Sequence, residues 1–327
     1  MPVLTIFTNH KFLDPSANAF LEEQIRARGH TLVVSRNLTT SNLATSAPDP
    51  AIDDADVAFG QPDPGSLLTA PRLRWVQLTT AGYERYDRKD LRDALGCRAA
   101  VVSSSSSVYA MPVAEHALAM MLGLARQLPW AQDEQRTTRA WSAAPMREKC
   151  KLLTGSTVLI LSYGSIAKRL IELLAPFRCE IIAVRRNPRG DEPVRVVADV
   201  NVHDVLPLAD HIMNALPGGP ATKHFVNAAF LAKTKPGAYF YNVGRGPTVD
   251  QDALLAALNS GHLGAAYLDV TDPEPLPKDH PLWPQPNCHI TPHTAGGMHD
   301  EFHRIARHFL SNLKRFEAGQ EPLDRVI

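Results

Sequence analysis

The chain has 327 residues, 44% hydrophobic and 21% charged, enough to bury a sizeable core and to build two domains of ordinary size. Its 34 basic residues balance its 34 acidic ones. That balance excludes a chain drawn as a whole to nucleic acid or to an anionic membrane surface, and leaves a small molecule as the expected partner.

The amino terminus lacks a basic segment followed by a long apolar run, so residues 3–7 read as a first buried strand and the cytoplasm is the expected compartment. A helix at 17–29 and a strand at 31–34 begin an alternating β/α pattern, which 57–60 and 73–78 continue. Residues 44–54, rich in Pro, Ala and Asp without a period, read as a surface connection. The five serines at 103–107 read as a flexible or turn segment. From Pro112, suited to a first helical turn, Val113, Ala114, Ala117, Leu118, Met121, Leu124, Ala125 and Leu128 recur at helical spacing and predict a long buried helix. Its nearly apolar stretch, 117–125, is too short to cross a bilayer. Glu115 and His116 are adjacent on that helix and point apart, so a structural or subunit-face role is expected for both.

After Gly155 a second series follows: 157–161, a helix at 166–174, 180–184, 210–216, 238–243, a helix at 252–258, and 265–270. Strands alternating with helices imply parallel sheets covered on both faces, and two series imply two α/β domains. Residues 302–316 form an amphipathic helix that must pack somewhere. Cys97, Cys150, Cys179 and Cys288 lie far apart, with no C-x-x-C pair and no Cys/His cluster at ligand spacing, so reduced thiols and no metal are expected.

Ser162, Tyr163, Gly164, Ser165, Ile166 and Ala167 lie between a strand and a helix, where a dinucleotide fold places G-x-G-x-x-G/A. Gly164 would let the backbone approach a pyrophosphate, the amides of Ser165 and Ile166 would donate to it, and Ala167 is small enough for helix–strand packing. Ser162 departs from the pattern and is tolerable only at negative φ. About 20 residues further on, where an NAD-selective fold puts Asp or Glu on the ribose, stand Arg185 and Arg186. A guanidinium there pairs with a 2′-phosphate, so NADP(H) is the preferred cofactor and NAD(H) the alternative.

Three charged residues each follow a strand: Arg245 in Asn242-Val-Gly-Arg-Gly, Glu274 in the 268–275 stretch, and His293 in Thr291-Pro-His. Carboxyl ends of parallel strands line a ligand crevice, so the three converge there. Together they suit reduction of a 2-oxo acid: arginine for the carboxylate and the ketone, histidine as proton donor to the alkoxide, glutamate to orient the imidazole and raise its pKa.

With 73–82, 112–116, 235–238, 242–250, 269–283 and 291–293 in this order, nearly the whole chain resembles the D-isomer-specific 2-hydroxyacid dehydrogenases, which include glyoxylate/hydroxypyruvate reductases. The resemblance implies two doubly wound parallel-sheet α/β domains, a Rossmann cofactor domain (104–295) inserted into a flavodoxin-like substrate, or catalytic, domain (1–103 and 296–327). It implies that Arg245, Glu274 and His293 are catalytic, that amides of Ala81 and Gly82 grip the substrate carboxylate, and that Asp269 bonds the nicotinamide carboxamide. Leu216, Pro217 and Val243 would border the cofactor, and 112–128 would belong to the arm of a homodimer. Ser107 stands where many members have glycine, and Glu274 where the formate dehydrogenase branch has glutamine, so that branch is not expected. A dinucleotide-sensing binding protein, like the C-terminal-binding corepressors, is the other reading. Trp141 and Trp283 are candidates either for shaping the substrate pocket or for packing.

Overall fold

Short apolar runs alternating with helices give, in the first half, β1 (Thr5–His10), α1 (Pro15–Ala27), β2 (Thr31–Thr39), β3 (Val57–Gly60), α2 (Pro64–Thr69), β4 (Trp75–Leu78), α3 (Lys89–Cys97), β5 (Val101–Ser103) and α4 (Ser106–Ala125). There follow α5 (Leu128–Arg136), α6 (Ala143–Lys149), β6 (Thr157–Leu161), α7 (Ser165–Leu174), β7 (Glu180–Arg185), β8 (Arg195–Ala198) and β9 (His211–Asn214). The chain continues through α8 (Ala228–Leu231), β10 (Ala238–Asn242), α9 (Gln251–Asn259), β11 (Leu263–Leu268), β12 (Cys288–Ile290) and α10 (Glu301–Glu317). These elements come from a computed structural model that describes residues 2–40 and 44–327. Two units result, Met1–Tyr109 with Met298–Ile327, and Ala110–Gly297.

In the first unit five parallel strands lie in the order β2-β1-β3-β4-β5. Asp14 caps α1 through the Ser16 amide, with Pro15 in the first turn where its missing N–H costs nothing. The amphipathic α10 turns Ile305, Phe309 and Leu313 inward, and Phe309 meets Phe59 at 4.5 Å and stacks on Trp75 at 5.3 Å between ring centroids. Burial of such a side chain stabilises by about 1.5–3 kcal/mol, so α10, though last in the chain, is integral to this core.

The serine run is not flexible. Ser103 ends β5, Ser104 and Ser105 are fully buried, and Ser106 opens α4. Each buried serine has partners: Trp75 Nε1 donates to Ser103 Oγ at 2.8 Å, Ser103 Oγ donates to Gln77 Oε1 at 2.9 Å, Gln77 Nε2 donates to the Ser104 carbonyl at 2.7 Å, and Ser105 Oγ donates to the Leu78 carbonyl at 2.7 Å. Hydroxyls so satisfied sit in a core without the usual desolvation penalty. Because α4 starts within this run, Pro112 falls inside the helix and not in its first turn.

At 20 residues α4 is long and apolar enough, by length and composition, to cross a membrane, longer than the 117–125 stretch suggested. Eight of its residues are buried within the protein, so its apolarity serves packing. The second unit has seven parallel strands in the order β12-β11-β10-β9-β6-β7-β8. Both units are thus doubly wound, and in the second the strand order reverses between β6 and β9. A crevice opens at the carboxyl ends of strands at such a reversal.

Candidate active site

At the β6/β9 reversal the loop 162–164 leads into α7, whose amino end has no side-chain cap, leaving the first-turn amides of Ser165 and Ile166 for an external acceptor. Ala167, fully buried, lets helix and strand approach. Ser162 does not take the negative φ expected of it: its φ is +156°, a region that favours glycine. The strand-to-helix turn dictates that shape, and the serine meets it with its hydroxyl accepting the Gly164 N–H at 3.1 Å. The loop after β9 places half-buried Leu216 and exposed Pro217 at the same reversal, and Leu216 N–H donates to Asn214 Oδ1 at 3.2 Å. Free helix amides and an open switch point fit a dinucleotide pyrophosphate.

Arg185 ends β7, next in the sheet, and Arg186 follows it exposed. The Arg185 guanidinium donates to Glu192 Oε1 at 2.8 Å and lies 5.9 Å from the centroid of the Tyr163 ring, which Lys168 also approaches at 5.5 Å. Lys168 and Glu192 have no signal in the sequence. Neither lies within a motif, and only the fold brings them to the end of β7.

The loops after β10, β11 and β12 carry the charged residues. His293 Nδ1 faces Glu274 Oε2 at 2.8 Å, and since a carboxylate only accepts, Nδ1 holds the proton and Nε2 is left for a substrate oxygen. The His293 backbone is left-handed, φ 52°, fixed by its N–H donating to the Asp269 carbonyl at 2.8 Å. Glu274 is fixed in turn by the Thr271 amide, which donates to its Oε1 at 3.1 Å. The Glu274 hydrogen bond lifts the imidazole above its ordinary pKa against the opposing effects of burial and of Arg245. Burial pushes the Glu274 carboxyl up, but His293, the Thr271 amide and Arg245 outweigh it and hold it below the usual carboxylate value. Arg245 therefore acts electrostatically on both partners.

The Arg245 loop is shaped by two glycines. A Cβ on Gly244 would lie 2.6 Å from the Leu216 carbonyl oxygen, and one on Gly246 would lie 1.8 Å from that of Thr271, so both positions exclude a side chain. Buried amides and a hydroxyl tie the loop down: Asn214 Nδ2 donates to Asn242 Oδ1 at 3.0 Å and to Thr248 Oγ1 at 2.7 Å, and Thr248 Oγ1 donates to the Arg245 carbonyl at 2.6 Å. Val243 is buried beside it, 6% exposed. The carboxylate of Asp269, also buried, accepts from Thr291 Oγ1 at 2.7 Å and from the amides of Thr294 and Ala295 at 2.9 and 3.0 Å. It thereby holds the loop of His293. His116 Nε2 stands 3.3 Å from Thr291 Oγ1 and 3.8 Å from Asp269 Oδ1, so His116 packs against this site, while Glu115 points away, exposed. Ala81 and Gly82 belong to the other unit, half-buried in the loop after β4, with Thr80 Oγ1 donating to the Gly82 carbonyl at 2.6 Å.

A groove of about 1460 Å³ lies elsewhere, along the amino ends of β10–β12, lined by Trp130, Tyr239 and Trp283 among others. Trp283 is 47% and Trp141 95% exposed, and neither α5 nor α6 has a buried residue. No cluster of metal-binding side chains forms among the described residues, and the four cysteines are free.

Residues 118–295 match the profile described as D-isomer specific 2-hydroxyacid dehydrogenase, NAD binding domain. The formate dehydrogenase of Arabidopsis thaliana is 30% identical over 332 residues, 98% of this chain and 84% of its own. The human glyoxylate reductase/hydroxypyruvate reductase is 36% identical over 209 residues, covering 63% of this chain and 64% of its own. The crystal structure of a D-isomer specific 2-hydroxyacid dehydrogenase from Xanthobacter autotrophicus Py2, in complex with NADPH and MES, superposes with a TM-score of 0.79 at 26% identity, over 100% of this chain and 98% of that one.

Proposed function

The chain belongs to the D-isomer specific 2-hydroxyacid dehydrogenase family, and on that premise we propose that it reduces a small 2-oxo acid of the glyoxylate or hydroxypyruvate class to the D-2-hydroxy acid, preferring NADPH. It is an NAD(P)-dependent oxidoreductase of small 2-oxo and 2-hydroxy acids. The observation that carries the substrate class is the Glu274–His293 pair at 2.8 Å. Reduction of a ketone or aldehyde makes an alkoxide that must be protonated, whereas oxidation of formate to carbon dioxide moves a hydride alone and leaves such a pair idle.

The dinucleotide, when bound, supplies the hydride to the carbonyl carbon. The protein does the rest. Arg245 binds the carboxylate and polarises the carbonyl oxygen, and His293 gives its proton to that oxygen as it becomes an alkoxide. Glu274 keeps the imidazole protonated and aimed. Asp269 is given the nicotinamide carboxamide by the lone pairs its loop bonds leave, and Leu216, Pro217 and Val243 border the ring. To the amino-terminal unit the same reading gives the amides of Ala81 and Gly82 as a grip on the carboxylate. The substrate domain would comprise 1–103 with 296–327, and the dinucleotide domain 104–295.

Cofactor preference rests on Arg185 and Arg186, the residues that stand at the end of β7 where an NAD-selective fold carries Asp or Glu in the sequence. The exposed α5–α6 segment and the groove lined by Trp130 and Trp283 support a homodimer in which each copy's arm covers its partner's groove. Light scattering checks this, with a monomeric mass as the contrary result. The free thiols support a reducing compartment, the cytoplasm.

In an absorbance assay, NADPH is consumed with glyoxylate and hydroxypyruvate, and formate does not reduce NADP⁺; formate oxidation as the chain's principal activity would overturn the substrate class. The pH profile gives a second test. Because the His293 pKa is raised, its acid form persists above the ordinary value, and the reduction rate falls only as pH rises through the raised pKa. Glu274→Gln removes the cause and moves that alkaline limb to lower pH; an unmoved limb contradicts the role given to Glu274.

A further inference from the structure

The loop between β7 and β8 folds back so that one acidic side chain, Glu192, reaches the end of β7. Its Oε1 accepts from Arg185 Nη1 at 2.8 Å and from the Arg189 N–H at 2.9 Å, and its Oε2 accepts from the Gly190 N–H at 2.8 Å. The side chain is only 5% exposed and Arg185 27%. A guanidinium and two convergent backbone amides make an anion-binding nest, and a carboxylate of the chain itself fills it. The two amides hold the Glu192 carboxyl down at about 2 against the opposing effect of burial, with Arg185 adding to their pull, so the group is charged at any ordinary pH.

We infer that Glu192 is a specificity-determining residue for the cofactor: its carboxylate occupies the Arg185 nest in place of an adenosine 2′-phosphate and so restrains the preference for NADP(H) over NAD(H). The inference rests on the reading of Arg185 as the partner of the 2′-substituent. A 2′-phosphate entering this nest must either displace the carboxylate from Arg185 or lie against a second anion, and both weaken its binding. A ribose 2′-hydroxyl meets no such opposition and donates to the carboxylate. The position is thus built for both cofactors, with the arginine favouring one and the glutamate tempering it.

Glu192→Gln tests this, because glutamine keeps the shape of the side chain and one oxygen to accept from a loop amide while the negative charge is gone. Calorimetric dissociation constants are measured for 2′,5′-ADP and 5′-ADP, with thermal unfolding to confirm that the loop and fold survive. The expected result is that 2′,5′-ADP binds about tenfold more tightly to the variant, the size of one charge-assisted contact, while 5′-ADP binds equally or more weakly. Unchanged or weaker binding of 2′,5′-ADP overturns the inference. Arg185→Gln separates the two ideas. If it leaves 2′,5′-ADP binding unchanged in the parent background, the reading of Arg185 fails, whereas a loss of binding there with no gain in Glu192→Gln removes only the role of Glu192.

Discussion

Replacing His293 with asparagine is expected to lower kcat for glyoxylate reduction about 10²–10⁴-fold, the usual contribution of a positioned proton donor. Asparagine is the informative choice because the His293 backbone is left-handed, φ 52°. Alanine there would add strain, whereas asparagine tolerates the conformation and keeps the loop tied to Asp269. The imidazole also holds Glu274 at 2.8 Å, so the variant leaves that carboxylate without its partner and without a proton to deliver. Cofactor binding, which depends on the loops after β6, β7 and β9 and on Val243 and Asp269, none of them altered by the substitution, should be little changed. Steady-state NADPH oxidation with the affinity for NADPH measured in parallel checks both halves; a variant retaining most of the parent's turnover contradicts the assignment of the donor.

Arg245→Lys is the second large effect expected, a fall of about 10²–10³-fold in kcat/KM. Lysine keeps the charge but not the planar fork, and the fork is what grips a carboxylate in two places while turning toward the carbonyl oxygen. The surroundings give no slack to compensate. Gly244 and Gly246 press the loop against the backbones of Leu216 and Thr271, and Asn214, Asn242 and Thr248 fix it from below. A shorter-reaching point charge cannot recover the lost contact by moving the main chain. The loss should fall on KM as well as kcat, since the carboxylate is held before and during the reaction. A kcat/KM within about threefold of the parent contradicts the role.

Much of this arrangement is legible in the sequence because its signals are local. Strands β3, β6 and β10 are short apolar runs bounded by turns, and α7, α9 and α10 have clear periodicity. Arg245, Glu274 and His293 each follow a strand, so their meeting at one sheet edge follows from parallel topology. What escapes has no local signature. The serine run is polar by composition yet buried, because its partners Trp75, Gln77 and Leu78 lie 25 or more positions away in the chain. The helix α4 therefore begins earlier than Pro112 suggests. Strand β12 has three residues, and α5 and α6 bury nothing, so neither period can be seen. Glu192 is an ordinary loop acid until the fold lays it on Arg185, and His116 becomes part of the site only through Thr291, 175 positions away.

The most direct test of the central claim follows the hydride. NADPH carrying deuterium at both C4 positions is incubated with the enzyme and hydroxypyruvate, and the product is resolved by chirality and mass. The account predicts D-glycerate with one deuterium at C2, formed by the parent and lost in His293→Asn. A product without deuterium, the L-isomer, or no product although NADPH binds would contradict it.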